Sequence, residues 1–168
     1  MRLEDSMTVR FCRLAALCLC CLIAGSSSSW AQESHLDKPG EVPKYVQEPI
    51  KLFTTGLGPY SRQISSKNKE AQAFFNQGMQ MMFAFARIDS IRSFREAWKL
   101  DPECAICYWG EGWAWGSYLN GPMSADQSPF AYAAMQKAVS LKDKATPNER
   151  AFIEALSVRY VKNFDVKT

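Results

Sequence analysis

The sequence predicts an all-α fold: an antiparallel helix-pair solenoid of about two and a half repeats, placed after a signal peptide and an extended leader. Three observations predict it. Phe74, Gly78 and Met81 recur at helical spacing, and Ser90, Phe94, Ala97 and Leu100 follow at the same spacing before Asp101-Pro102. The pattern returns one period later as Tyr108, Gly112 and Trp115. A third start then comes at Thr146-Pro147-Asn148-Glu149. Small residues suit points where helix backbones approach closely, and bulky ones fill the gaps between them.

At the N-terminus, Arg10 and Arg13 precede an apolar run over residues 14–25. About a dozen residues is too short for a bilayer, which takes ~20. Ser29-Trp30-Ala31 follows as a small-x-small cleavage signal. Residues 1–31 therefore read as a secretory signal peptide cut after Ala31, with an uncleaved membrane anchor as the alternative. Met7 is an alternative start, because Glu4 and Asp5 stand where a basic region belongs. No cysteine follows a lipobox-like sequence. The mature chain is expected to be exported, periplasmic or secreted, with no stable membrane span.

Residues 32–69 hold Pro39, Gly40, Pro43, Pro49, Gly56, Gly58 and Pro59. That composition reads as an extended or disordered leader. Its Leu52-Phe53 is placed to tuck onto the helices as a cap. The helical domain is expected over residues 70–168.

In the first helix pair Gly78 is the expected close-approach point. Phe74 and Met81 flank it, and Phe94 fills the space from the second helix. Pro102 cannot continue a helix and biases Asp101 away from helical angles. The second helix should stop near Leu100, and the next should begin near Pro102 or Glu103. In the second pair the partner helix comes late, through Ala131, Met135, Ala138 and Leu141. The excess falls in a loop over residues 120–129, where solenoids tolerate insertions and often carry function. Thr146-Pro147-Asn148-Glu149 reads as a capping box with proline at the first helical position. Its helix is expected to run over residues 147–163 through Phe152, Leu156 and Tyr160. Unpaired, it would expose Phe152 and Leu156. The expectation is therefore truncation at the C-terminus, or self-association that covers this face.

Residues from about Ile64 to Tyr160 resemble the N-terminal part of a family of exported bacterial tetratricopeptide repeat (TPR) proteins. The resemblance rests on residues 71–78, Ala-Gln-Ala-Phe-Phe-Asn-Gln-Gly, on Ser93-Phe94-Arg95-Glu96-Ala97, and on residues 101–110 from Asp101-Pro102 to Tyr108-Trp109-Gly110. Asn120-Gly121-Pro122-Met123 and residues 145–151 also fit. It implies a binding scaffold that usually continues through further repeats. The chain departs from the family at Phe85-Ala86-Arg87, where relatives carry Phe-Asn-His. It departs again at Gly116-Ser117-Tyr118, where they carry Gly-Pro-Asn. A ligand or metal held by the family's Asn-His pair is not expected here.

Charge excludes one class of partner. The net charge of +3 falls to about +2 once Arg2, Arg10, Arg13, Glu4 and Asp5 leave with the signal. The remaining charges are mixed along the chain, whereas nucleic acid needs a concentrated basic face. Arg92, Arg95, Glu96 and Lys99 surround the stripe Ile91, Phe94 and Trp98, the pattern of a solvated helix face. Glu103 suits the dipole of the next helix start.

Of the cysteines, Cys12, Cys18, Cys20 and Cys21 leave with the signal peptide. Cys104 and Cys107 remain as Cys-x-x-Cys at a helix start. Three readings stand: a structural disulfide in the first turn, packed free thiols, or redox or metal function. Haem attachment needs His after the second Cys, and Tyr108 is there. Zinc needs about four ligands, and the only histidine is His35. No cofactor and no metal site are expected. With no nucleophile-base pair and no phosphate loop, the chain is not expected to be an enzyme.

The aromatics carry the functional expectation. Trp109 and Trp113 lie one turn apart, beside the packing face of Tyr108, Gly112 and Trp115. With Phe75, Met79, Met82 and Phe83 they map to an inner groove. A floor of Trp, Phe and Met suits an apolar peptide or amphipathic helix. The competing reading is burial of this stripe by the leader or by later repeats. The expectation is a protein-interaction scaffold, with redox or metal handling through Cys104 and Cys107 as the alternative.

Overall fold

A computed structural model describes residues 41–162 and Phe164. The chain divides into two units, Met1–Leu36 and Asp37–Thr168, and every described residue belongs to the second. The expected signal peptide, its expected cleavage point and His35 lie outside the described residues.

The described part is all-α. In order come α1 (Lys44–Gln47), α2 (Lys69–Phe83), α3 (Arg87–Leu100), α4 (Ala105–Trp115), α5 (Ser128–Ser140), a 3-10 turn (Lys142–Lys144) and α6 (Pro147–Ser157). Among the described residues extended pairing is confined to an isolated bridge between Tyr118 and Gly121. None of these helices is long and apolar enough to cross a membrane. Consecutive helices pack on one another from α2 to α6, and α6 also rests on α4.

Local chemistry fixes the boundaries. The Asn68 side chain accepts from the N–H groups of Glu70 and Ala71 and so caps α2. Thr146 and Glu149 form the capping box of α6, with Pro147 in the first turn. Helix α3 stops at Leu100 before Asp101-Pro102. The next helix begins at Ala105, later than the proline alone suggests. Pro102 and Glu103 are used in a turn, in which Cys104 donates to the Asp101 carbonyl at 3.0 Å and Glu103 N–H to Asp101 Oδ1 at 3.1 Å.

Phe94 is the hub of the core and has no exposed surface. A Cβ on Gly78 would stand 2.7 Å from its ring, and one on Gly110 would overlap it. Glycine thus lets α2 and α4 both close on one ring. Gly112 does the same against Met135 of α5, where a Cβ would lie 2.8 Å away. Ala131, Met135 and Ala138 form the buried face of α5.

The segment before α2 is extended apart from α1, and it is held in place. Val46, Ile50 and Ile64 enter the core. Amide side chains of α2 grip its backbone. Ile64 N–H donates to Gln72 Oε1 at 2.9 Å, Arg62 N–H to Asn76 Oδ1 at 3.0 Å and Phe53 N–H to Gln77 Oε1 at 2.7 Å. Gln80 donates to the carbonyls of Gly58 and Tyr60. Leu52 packs against the core, while the Phe53 ring stays exposed. These amides supply partners for peptide groups of the belt that would otherwise be left unpaired against a protein surface.

Two expectations need correction. The face of Arg92, Arg95, Glu96 and Lys99 is not uniformly solvated. Arg95 forms a part-buried ion pair with Glu111 of α4 at 2.6 Å, and Trp98 Nε1 donates to Glu111 Oε2 at 2.7 Å. Arg92 donates to the Glu48 and Pro49 carbonyls. The cause is that α1 and α4 pack on the edges of α3. The last helix ends at Ser157, and Leu156 is buried. Contact with α4 and α5 covers it, so Phe152 alone of the expected pair is exposed. Tyr160 lies beyond the helix end and folds back, so that a Cβ on Gly116 would overlap its hydroxyl.

Candidate functional site

The six stripe residues do not share one open floor. Phe75, Met79, Met82 and Trp109 are buried, Trp113 is half-buried and Phe83 is exposed. Phe75 turns to Phe94, with ring centroids 5.5 Å apart. The other three aromatic residues form a chain of rings. Phe83 meets Trp113 at 6.2 Å, Trp113 stacks on Trp109 at 5.5 Å and Trp109 meets Phe152 of α6 at 5.6 Å. Tyr60 of the belt stands edge-on to Phe83 at 5.1 Å, and the Arg62 guanidinium lies 4.1 Å from the Phe152 ring. Phe152 of α6 thus lies over Trp109 and Tyr60 of the belt against Phe83, and the Phe83 and Trp113 end of the stripe reaches the surface.

That end opens into a cavity of about 450 Å³, within the range of small-ligand and side-chain pockets. Met82, Phe83 and Trp113 line it from the predicted stripe. Phe85, Arg87, Tyr118, Leu119 and Arg159 line it too, and stripe periodicity does not point to these. Leu119 is 86 % exposed and Phe85 55 %.

Phe85 is held in an uncommon conformation. Helix α2 ends with Phe85 N–H on the Met82 carbonyl at 3.1 Å and Ala86 N–H on the Met81 carbonyl at 2.9 Å. This is a Schellman ending, whose left-handed position normally takes glycine. Phe85 occupies it at φ 60°. A bulky residue there is strained by roughly 1–2 kcal/mol. The strain aims an aromatic ring outward between two cavities, since Phe85 also lines the neighbouring one with Tyr45 and Ile88.

Arg87 builds the opposite wall. Its Nε and Nη2 donate to the Ala114 carbonyl, and Nη2 also to those of Trp115 at 3.1 Å and Gly116 at 2.8 Å. These are the orphan carbonyls at the end of α4, and a cation suits that end of the helix. The guanidinium also lies 4.4 Å from the Tyr118 ring. The two departures noted in the sequence, 85–87 and 116–118, therefore meet at one place. Arg159 is exposed at the rim. Burial raises the hydroxyl pKa of nearby Tyr160, and Arg159 and Arg87 partly offset that.

Cys104 and Cys107 are bonded as a disulfide in the first turn of α4, with Cα atoms 5.3 Å apart. Cys104 is 2 % exposed and Cys107 not at all. Among the described residues no three His, Cys, Asp or Glu side chains converge on a point that could hold a metal ion. No family model, curated protein or solved structure matches this chain.

Proposed function

We propose that this chain is an exported, non-enzymatic interaction scaffold of the TPR type, which binds an apolar segment of a partner protein or peptide. The contact is the mouth between the α2–α3 turn and the loop after α4, where only the Phe83 and Trp113 end of the stripe of Phe75, Met79, Met82, Phe83, Trp109 and Trp113 comes to the surface. Phe85 carries the reading. An exposed aromatic ring at a backbone position that favours glycine lowers stability, and such strain collects at binding sites. Leu119, nearly fully exposed, extends the same apolar surface.

The buried part of the stripe supports the mouth from below. Trp109 and Met82 fix the rings that a partner would touch, and pre-organisation of this kind lowers the entropic cost of binding. A redox or metal role of Cys104 and Cys107 uses other residues, so it does not compete for this surface.

The test is photo-crosslinking in the export compartment, with a benzophenone amino acid replacing Leu119 and a control replacing the exposed Gln136 of α5. The reading expects protein adducts from the Leu119 position that vanish in Phe85→Gly, while circular dichroism stays unchanged. Identical adducts from both positions would overturn it.

A further inference from the structure

We infer that the Cys104–Cys107 disulfide is an exchange-active, two-electron site that reacts with a dithiol in the folded protein through Cys104. The bond is shielded unequally. Cys107 is wholly buried in the core, and Cys104 retains the little exposure there is. A cavity of about 340 Å³ reaches Cys104, and Ser66, Lys67, Asp101, Glu103 and Lys144 are among the residues that line it. This polar approach ends at one cysteine of the pair. Lys144 is paired with Glu103 and Asp101 accepts from Ser66 Oγ at 2.5 Å. Among the described residues no such partner falls to the exposed Lys67. An incoming thiolate meets Lys67 and the amino end of α4, which favour negative charge, beside the Asp101 carboxylate, which opposes it.

The chemistry balances with a dithiol as reductant. Its thiolate attacks Sγ of Cys104, and the Cys104–Cys107 bond breaks with the electron pair leaving on Sγ of Cys107. Cys107 lies in the first turn of α4, and its departing thiolate takes up a proton there. The second thiol of the reductant, once deprotonated, attacks the mixed disulfide. Cys104 is released as a thiolate and protonated in turn. The pair gains two electrons and two protons, and the dithiol becomes a disulfide. The ring opened spans a sequence separation of 3. So short a loop restrains the unfolded chain little, and the fold is expected to survive reduction.

The experiment uses the oxidised full chain and dithiothreitol. Thiols are quenched, labelled with a maleimide and read peptide by peptide, which keeps Cys12, Cys18, Cys20 and Cys21 separate. Direct attack predicts that a tenfold rise in dithiothreitol gives a tenfold rise in the reduction rate of the 104–107 pair, unaffected by sub-denaturing urea. The circular dichroism of the reduced chain should match that of the oxidised one. A glutathione challenge should place the trapped adduct on Cys104. A rate that plateaus with dithiothreitol and climbs with urea would show that the bond opens only on unfolding, and would overturn the inference. So would an adduct found on Cys107, or no reduction of the folded chain.

Discussion

The backbone N–H of Ser65 donates to Glu149 Oε1 at 2.8 Å, across 84 residues of chain. The same carboxylate accepts from Thr146 N–H at 2.8 Å and from Thr146 Oγ1 at 3.0 Å through Oε2. Glu149 is therefore both the capping-box residue of α6 and the far anchor of the belt. Removing it leaves part-buried donors without an acceptor, at about 1–3 kcal/mol for each that stays dry. Glu149→Ala is expected to lower unfolding stability by about 2–3 kcal/mol in urea titration. Glu103, paired with Lys144 at the exposed surface, serves as control, since such pairs contribute ~0–1 kcal/mol. Equal losses from Glu149→Ala and Glu103→Ala would mean that the anchor does not hold.

Phe94 makes a second quantitative case. A helical Gly→Ala change normally gains up to about 1 kcal/mol from propensity. At Gly110 the added methyl meets the Phe94 ring, and overpacking costs about 1–3 kcal/mol. The collision should win, so Gly110→Ala is expected to destabilise. Gly58 has nothing within 4 Å of a built Cβ, and Gly58→Ala should be neutral or gain up to about 1 kcal/mol. Adding Phe94→Leu to Gly110→Ala should recover part of the loss, a coupling that a double-mutant cycle reads directly.

What was legible in the sequence was short-range. Gly78 against Phe94, the return of Gly112 one period later, the stop at Leu100 and the capping box at Thr146 are each encoded within a turn or by a single repeat period. What was not legible depends on segments far apart in the chain. The grip of Gln72, Asn76, Gln77 and Gln80 on the belt is polar and follows no hydrophobic period, although amides spaced one turn apart at Gln72, Asn76 and Gln80 are its trace. The cover over Trp109 comes from Phe152, and the partner of Arg95 is Glu111 on the next helix. Helical spacing says which residues share a face. It does not say what lies over that face. Phe85 was missed for another reason, because the identity of a residue after a helix does not reveal its φ.

Two tyrosines, buried Tyr160 and half-buried Tyr108, set an alkaline limit. Burial raises the pKa of Tyr160, and burial followed by the charges of Glu111 and Asp101 raises that of Tyr108. An unfolded tyrosine ionises near pH 10. A raised folded pKa leaves stability intact below that value and removes it as pH climbs through the folded one, because the unfolded chain loses its proton first. The urea midpoint is expected to hold up to about pH 10 and to fall above it. Tyr160→Phe should shift stability at pH 7 by less than about 1 kcal/mol and should make the alkaline fall shallower. If the variant and the parent fall in parallel, Tyr160 is not one of the linked groups.

Phe85 gives the sharpest prediction, because stability and binding are expected to move in opposite directions. At φ 60° a Cβ is penalised and glycine is not. The ring is 55 % exposed, so it returns only part of the 1.5–3 kcal/mol or so that a fully buried Phe contributes. Phe85→Gly is expected to raise unfolding stability by about 0.5–1 kcal/mol, after the entropy that glycine adds to the unfolded chain is subtracted. Phe85→Ala keeps the strain and loses the ring, so it should be no more stable than the parent. Both variants remove one wall of the mouth and should lose the partner adducts formed from position 119. A Phe85→Gly chain that is less stable than the parent would mean that the ring is held for packing. A chain that gains stability but loses its partner would mean that the strain is kept for binding.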